Sequence, residues 1–341
     1  MVRVAISGLG FMGKTHLAAY LKLPDVRVVA LCDSRKENLE ITDVETGGNI
    51  RTASGPIDLT GVQKYVDYGT MLSEGGFDFV DLCLPTFLHA DMTVASLNAG
   101  YHVFCEKPMA LNGSETRRML DAAHKTGKLL GVGQCLRFWP AYVETKRLID
   151  SRKYGKVRYA EFSRLSAPVG WSQGNWMRKG SLSGNAALDL HIHDVDMILY
   201  LFGKPGSVRS NGVVEGDGSV SHITTMYTYE DVVVQSTGGW ICSDTFGFNM
   251  RAFFILEYAT VELDFSKTPV VNVFPHGAEQ YALSFPESDG YFHELKDFVE
   301  GIKRGQLSGV VTGKSASDSV ELCLIEISSV LDRQEKTVDI P

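Results

Sequence analysis

The sequence predicts an α/β protein of two domains: a doubly wound parallel sheet, then an α+β domain with a large open mixed or antiparallel sheet. Three observations carry this expectation. Short apolar strands alternate with helical stretches as far as residue 133. From Gln134 that alternation gives way to helices followed by a run of strands. At 341 residues the chain is also too long for one ordinary core. The boundary is therefore set between residues 1–133 and 134–341.

Val2 to Ser7 is an apolar, β-branched run short enough for a buried strand. Gly8-Leu9-Gly10-Phe11-Met12-Gly13 follows, then a helix from Lys14 to Leu21 closed by Pro24. Val26 to Leu31 forms a second strand ending in Cys32-Asp33, with Asp33 twenty residues after Gly13. This is the spacing of a dinucleotide-binding βαβ unit. Gly8 allows the sharp turn, Gly10 lets backbone approach a pyrophosphate, and Gly13 lets helix and strand pack closely. Phe11 and Met12 occupy the variable positions, and the helix N-terminus faces the phosphates. Asp33 would accept ribose hydroxyls and repel a 2′-phosphate, which favours NAD. Ser34 and Arg35 adjoin that position, and Arg35 leaves NADP open. Gly8-x4-Gly13-Lys14-Thr15 also satisfies the phosphate-loop pattern, and a glycine turn can simply join a strand to a helix.

The elements then follow in order. Arg35 to Ile41 is helix-like, and residues 42–61 are a long loop with neither period sustained. Gln63 to Val66 is a strand and Gly69 to Glu74 a short helix. Phe77 to Leu84 is a near-continuous apolar strand, as a sheet covered on both faces requires. A helix from His89 to Ala99, a strand from Tyr101 to Cys105, a helix from Ser114 to Lys125 and a strand from Leu129 to Val132 complete the first domain. In the second, a helix (Ala141 to Ser151) and a strand (Val157 to Leu165) precede a loop carrying Trp171 and Trp176. A helix runs from Ala187 to Phe202. Strands follow at His222 to Tyr229, Val232 to Thr237, Phe246 to Glu257 and Thr260 to Asp264. Helices from Tyr291 to Lys303 and Ser315 to Leu331 end the chain.

Composition narrows the function classes. Hydrophobic residues make up 44% and charged residues 22%, as in a water-soluble globular protein. The net charge of −8, with no basic tract, argues against nucleic acid or an anionic membrane as partner. No apolar run approaches a membrane span, and no signal peptide is expected before Val2. The six cysteines show no ligand spacing and several end apolar strands, so reduced thiols and a cytoplasmic location are expected.

Two constellations carry chemistry. Glu106-Lys107-Pro108 ends a parallel strand, where open α/β sheets bind ligands. The second is Asp189 to Asp196. Leu188, Ile192, Val195, Leu199 and Phe202 have helical spacing, and at about 100° per residue Asp189, His193, Asp196 and Tyr200 share one stripe. His191 lies on the far side of that helix from His193, so a shared metal ion is disfavoured and no metal is assigned. Asp189 and His193, at i and i+4, make a carboxylate-oriented imidazole suited to general base work.

Gly8 to Gly13, Pro85-Thr86-x2-His89, Glu106-Lys107-Pro108 and Asp189-x3-His193-x2-Asp196 together resemble the Gfo/Idh/MocA oxidoreductases. So do Gly131-Val132-Gly133, Gly238-Gly239-Trp240 and Tyr291-x2-Glu294. The resemblance runs along almost the whole chain. It implies a Rossmann domain and an NAD(P)-dependent enzyme acting on a secondary hydroxyl of a sugar, glycoside or cyclitol. Lys107, Asp189 and His193 would be the catalytic group. Leu84, Pro85, Thr86, His89, Glu106 and Lys107 would line the nicotinamide side. Arg137, Trp171, Trp176 and Tyr291 are the candidates for sugar contacts. Departures from the pattern are His191, where glycine is common, Leu136, where a second basic residue is common, and the long 42–61 connection. The same residues would also serve an NAD-dependent glycosidase working through transient C3 oxidation, or a non-enzymatic sensor. An open sheet face would need covering, so a homodimer or homotetramer is expected.

Overall fold

The computed structural model describes residues 1–45, 54–170 and 172–340. They form two compact units: Met1–Cys135 with Asp289–Ser317, and Leu136–Ser288 with Asp318–Pro341.

The first unit is built on six parallel strands in the order Gln63–Tyr65, Val26–Cys32, Val2–Ser7, Phe79–Leu82, His102–Cys105, Leu130–Val132. Counted along the chain, this is the doubly wound order in which direction reverses between the first and fourth strands. Val4 lies between Val28 on one side and Phe79 on the other. Helices Phe11–Leu21, Thr86–Asn98 and Gly113–Thr126 connect the strands. Asn112 caps the last of these by accepting from the Ser114 and Glu115 amides, and Gly127 ends it in the left-handed region.

The helix Gly290–Arg304, assigned by sequence to the second domain, belongs to this unit. Its apolar side, Leu295, Phe298 and Val299, is buried with the residues of the first strands. The Phe298 ring packs 5.4 Å from Phe79 and 5.3 Å from Phe104. Truncating such a ring to alanine costs about 3–5 kcal/mol. The chain therefore returns to its first core near its end. Other boundaries also move. The first helix starts at Phe11 rather than Lys14, and the apolar run 77–84 is a strand only over Phe79–Leu82. Residues expected to be a structureless loop include a short antiparallel ribbon, Asp43–Glu45 with Ser54–Pro56.

The second unit carries a nine-stranded mixed sheet. Its order is Tyr281–Ala282, Val271–Pro275, Ala259–Asp264, Phe248–Leu256, Val157–Ser166, Val233–Gly239, Val220–Thr228, Ser207–Val214, Lys336–Thr337. Val157–Ser166 and Val233–Gly239 pair in parallel, and the other neighbours are antiparallel. One face buries Ala160, Phe162, Val234 and Phe254, with the two phenylalanine rings meeting edge-on. The other face carries a cross-strand row of Val233, Tyr159, Ile255, Thr260 and Phe274, of which Val233, Ile255 and Phe274 are exposed.

The expected single helix 187–202 is two helices, Asn185–Asp189 and Ile192–Phe202. Both the Leu190 and His191 amides donate to the Ala186 carbonyl, and the Asp194 and Val195 amides both donate to His191. An N–H reaching back five residues widens the turn and restarts the helix. The stripe drawn through Asp189 and His193 on one continuous helix therefore does not hold.

Candidate active site

The glycine turn lies at the carboxyl end of the strand Val2–Ser7, where the strand order reverses. Gly8 has φ +90°, and a Cβ there would lie 2.3 Å from the Cys83 carbonyl oxygen. A Cβ on Gly13 would lie 1.8 Å from the Gly8 carbonyl oxygen, so both positions admit only glycine. Gly10 differs, because nothing lies within 4 Å of where its Cβ would be. That open approach fits a bound pyrophosphate. The helix begins at Phe11 with no side-chain cap and no acid in its first turn, which leaves its positive end to an external anion. Phe11 and Met12 are half-buried. Thr15 donates its hydroxyl to the Phe11 carbonyl at 3.0 Å, so it braces its own helix rather than serving a phosphate-loop metal.

Asp33 is half-buried at the tip of the second strand. Its Oδ2 accepts from the Leu9 amide at 2.8 Å and from Asn38 Nδ2 at 3.0 Å, and its Oδ1 accepts from the Arg35 amide at 2.9 Å. Three of about four acceptor directions are thus in use. The carboxylate ties the glycine turn to the second strand and keeps capacity for a ribose hydroxyl. Ser34 is exposed and Arg35 half-buried beside it. Asn38 was not singled out by sequence.

Across the switch point, Leu84 and Pro85 are half-buried and Thr86 opens a helix. Thr86 is 1% exposed, and among the described residues its Oγ1 has no hydrogen-bond partner. A buried orphan hydroxyl beside the switch point is a natural contact for a cofactor amide or hydroxyl. His89 presents its ring nitrogens to two backbone carbonyls, Pro108 and Leu84, each at 2.8 Å. Burial lowers its pKa, outweighing those carbonyls, so the neutral ring donates to one of them. Its polar atoms therefore link the Leu84 and Pro108 backbones.

Glu106 and Lys107 follow the strand His102–Cys105, and the Lys107–Pro108 bond is cis. Glu106 Oε2 accepts from the Lys107 amide at 3.0 Å. Lys107 is half-buried. Behind them lies a cluster that sequence reading missed: His16, Asp81, Cys83 and Glu294. Asp81, fully buried inside an apolar strand, was the visible signal.

In the second unit, Asp189 is buried at the end of one helix and His193 is half-buried in the first turn of the next. Two buried ion pairs and a buried histidine–carboxylate contact surround this break. Arg164 holds Asp194 at 2.9 and 3.1 Å, and His191 Nε2 meets Glu326 at 2.8 Å. Arg137 holds Asp196 through two bonds of 2.7 Å and stacks 4.5 Å over the Tyr200 ring. Ser319 also donates to Asp196. Arg137, expected near the sugar, thus commits two guanidinium donors to Asp196. Trp176 is half-buried against Val169, Met177, Ala186, Leu190 and Trp240. Tyr291 lies in the first turn of the late helix, in the first unit. Trp171 lies outside the described residues.

A glycine turn at the switch point of this strand order, an uncapped helix end and an acid at the second strand tip define an NAD-binding Rossmann domain. Family comparison agrees. Residues 2–134 match the Gfo/Idh/MocA oxidoreductase family's NAD-binding Rossmann domain, and residues 142–255 match a Gfo/Idh/MocA C-terminal domain. The chain belongs to the Gfo/Idh/MocA oxidoreductase family. It is 25% identical over 356 aligned residues to scyllo-inositol 2-dehydrogenase (NAD(+)) of Bacillus subtilis, covering 99% of this chain and 97% of that protein. It is 26% identical over 318 residues to myo-inositol 2-dehydrogenase of Thermotoga maritima, covering 89% of each. A solved levoglucosan dehydrogenase, in complex with NADH and levoglucosan, shares the fold with a TM-score of 0.83 at 18% identity, covering 99% of this chain and 100% of that one.

Proposed function

We propose that this protein is an NAD-dependent dehydrogenase that oxidises a secondary hydroxyl of a sugar, glycoside or cyclitol, or runs the reverse reduction. The observation that carries the reading is the pairing of an NAD-binding turn with a lysine at a strand tip of the same sheet. Its relatives among inositol dehydrogenases support the substrate class.

Bound NAD would supply the acceptor for the hydride of the substrate carbon. The Lys107 ammonium hydrogen-bonds the reacting oxygen and favours its developing negative charge. His193 takes the hydroxyl proton as general base, and Asp189 orients the imidazole and the substrate hydroxyls. Gly8 and Gly13 shape the turn, where Gly10 and the Phe11 and Met12 amides would hold the pyrophosphate and Asp33 the adenosine ribose. Leu84, Pro85 and Thr86 line the nicotinamide side, while His89 and Glu106 shape it through the backbone they hold. Trp176 and Tyr291 are the proposed sugar contacts, and Arg137 acts through Asp196.

Two coarser assignments complete the proposal. Self-association through the exposed row Val233, Ile255 and Phe274 would cover the open sheet face. Six free cysteines, four of them buried, suit the cytoplasm. Among the described residues no helix is long and apolar enough to cross a membrane.

The test is an NADH absorbance screen of polyols, sugars and glycosides with the purified protein. Net NADH formation on one class supports the dehydrogenase. Glycoside cleavage without net NADH would replace it, and silence across the panel would favour a sensor.

A further inference from the structure

The buried cluster behind the Lys107 turn has no part in the chemistry above. Its centre is His16, on the first helix three residues after Gly13 and 0% exposed. His16 Nδ1 lies 2.8 Å from Asp81 Oδ2, and His16 Nε2 lies 3.0 Å from Glu106 Oε1. Carboxylate oxygens thus face both ring nitrogens. Against ionised carboxylates, a ring nitrogen without its hydrogen would set a lone pair facing oxygen, so this geometry favours a doubly protonated ring. The Glu106 contact is close but poorly aligned, an ion pair rather than a well-formed hydrogen bond.

Charge accounting places a further proton. Glu294, from the late helix, is 1% exposed, and its carboxyl lies within 4.8 Å of the His16 and Glu106 ligand atoms. Neither of its oxygens has a hydrogen-bond partner among the described residues. Ionised, it would leave three buried carboxylates against one imidazolium, a costly arrangement. Burial, followed by the neighbouring Glu106, raises the Glu294 pKa well above the usual carboxylate range. Burial opposes charge on His16, yet Asp81 and the other neighbours carry its pKa well above the usual histidine value. Both directions favour a neutral Glu294 behind a charged His16. Cys83 Sγ, 3.2 Å from His16 Nδ1, is a thiol whose pKa burial pushes up.

Glu106 links this cluster to the turn. Its Oε1 faces His16 while its Oε2 accepts the Lys107 amide. We propose that His16 is a positioning residue: held as an imidazolium between Asp81 and Glu106, it fixes the Glu106 carboxylate and thereby the backbone from which Lys107 projects. The same helix carries the phosphate-binding turn at its start, so one buried cation ties the nucleotide end of the sheet to the reactive lysine. This rests on the catalytic reading of Lys107.

The experiment has two arms, both on the full-length protein. In the first, nitrogen-15 NMR of histidine-labelled enzyme, free of substrate, reads the His16 ring, assigned by its loss in His16→Gln. The expected result is an imidazolium that persists above the pH where ordinary histidines are neutral, and that moves in Glu106→Gln. A neutral His16 tautomer at pH 8 would overturn the proposal. So would a stoichiometric divalent metal found bound to the cluster by elemental analysis. Should His16→Gln fail to fold, Glu106→Gln supplies the assignment. The second arm is a double-mutant cycle on kcat. His16→Gln should lower kcat by about 10-fold or more in the wild-type background and by nothing further in Lys107→Met. Additive losses would reduce His16 to a structural role and overturn the proposal. Normal turnover in Lys107→Met alone would instead remove the lysine from catalysis, with the NMR arm still deciding the charge on His16.

Discussion

The Lys107 turn and the Asp189–His193 segment each carry a proposed catalytic group, and their supports are organised differently. At the turn, one imidazole serves two carboxylates, with the buried Glu294 carboxyl behind them. No member has a private partner, so losing one leaves the others uncompensated. Around the helix break, each carboxylate has its own partner: Asp194 has Arg164, Asp196 has Arg137, and Glu326 meets the His191 ring. Each pair is braced by neighbours of its own: Ser319 on Asp196, Thr225 on Glu326 and Met250 on Arg164. A hub should transmit damage into turnover, whereas separate braces should register mainly as lost stability.

The largest expected effect tests the braces. Arg164 and Asp194 have side chains only 3% and 0% exposed. Arg164→Met leaves a buried carboxylate without its cation and should cost about 3–5 kcal/mol in denaturant unfolding. The folded fraction should keep its kcat; a collapse in turnover matching Lys107→Met would erase the distinction between the regions. Next come the catalytic groups themselves. Lys107→Met and His193→Ala should each lower kcat at least ~100-fold with NADH binding, read by fluorescence titration, retained. Near-normal turnover in either variant would remove that residue from the mechanism.

A smaller effect is expected at the nucleotide end. Asp33→Ala removes charge-assisted hydrogen bonds to a ribose and should weaken NAD about tenfold, and NADP less. Equal losses by calorimetry would undo the cofactor preference. The smallest is a slope. The His16 pKa is raised above its ordinary 6.5 on folding. Its stabilising contribution is therefore complete below pH 6.5 and lost as pH rises through the folded value. Glu294, raised above 4.5, acts with the same sign. Thermal stability should decline into the alkaline range, and less steeply in His16→Gln. Parallel slopes in the two proteins would contradict a charged His16 facing Asp81, Cys83, Glu106 and Glu294.

The two regions also differ in how much the sequence discloses. Gly8 to Gly13 and Asp33 are legible because strand, turn, helix and acid follow within 33 residues, and spacing alone brings them together. Lys107 is legible because strand ends in a parallel sheet are where ligands bind. The cluster behind it is not, since His16, Asp81, Glu106 and Glu294 come from four elements and no local period links them. The helix break is hidden for a related reason. Leu190 and His191 contain no glycine or proline, and the contact anchoring His191 comes from Glu326, 135 residues away. The face of Gly290–Arg304 is visibly amphipathic, but amphipathicity does not name the core it joins; Phe79 and Phe104 do.

The central claim is hydride transfer from a secondary hydroxyl to NAD under the action of Lys107. It is tested most directly by following NADH absorbance with wild type and Lys107→Met on the best substrate of a cyclitol, sugar and glycoside panel. The account predicts stoichiometric NADH from wild type and a rate at least ~100-fold lower from the variant, with cofactor binding unchanged. No NADH from any substrate, or equal rates from the two proteins, would contradict it.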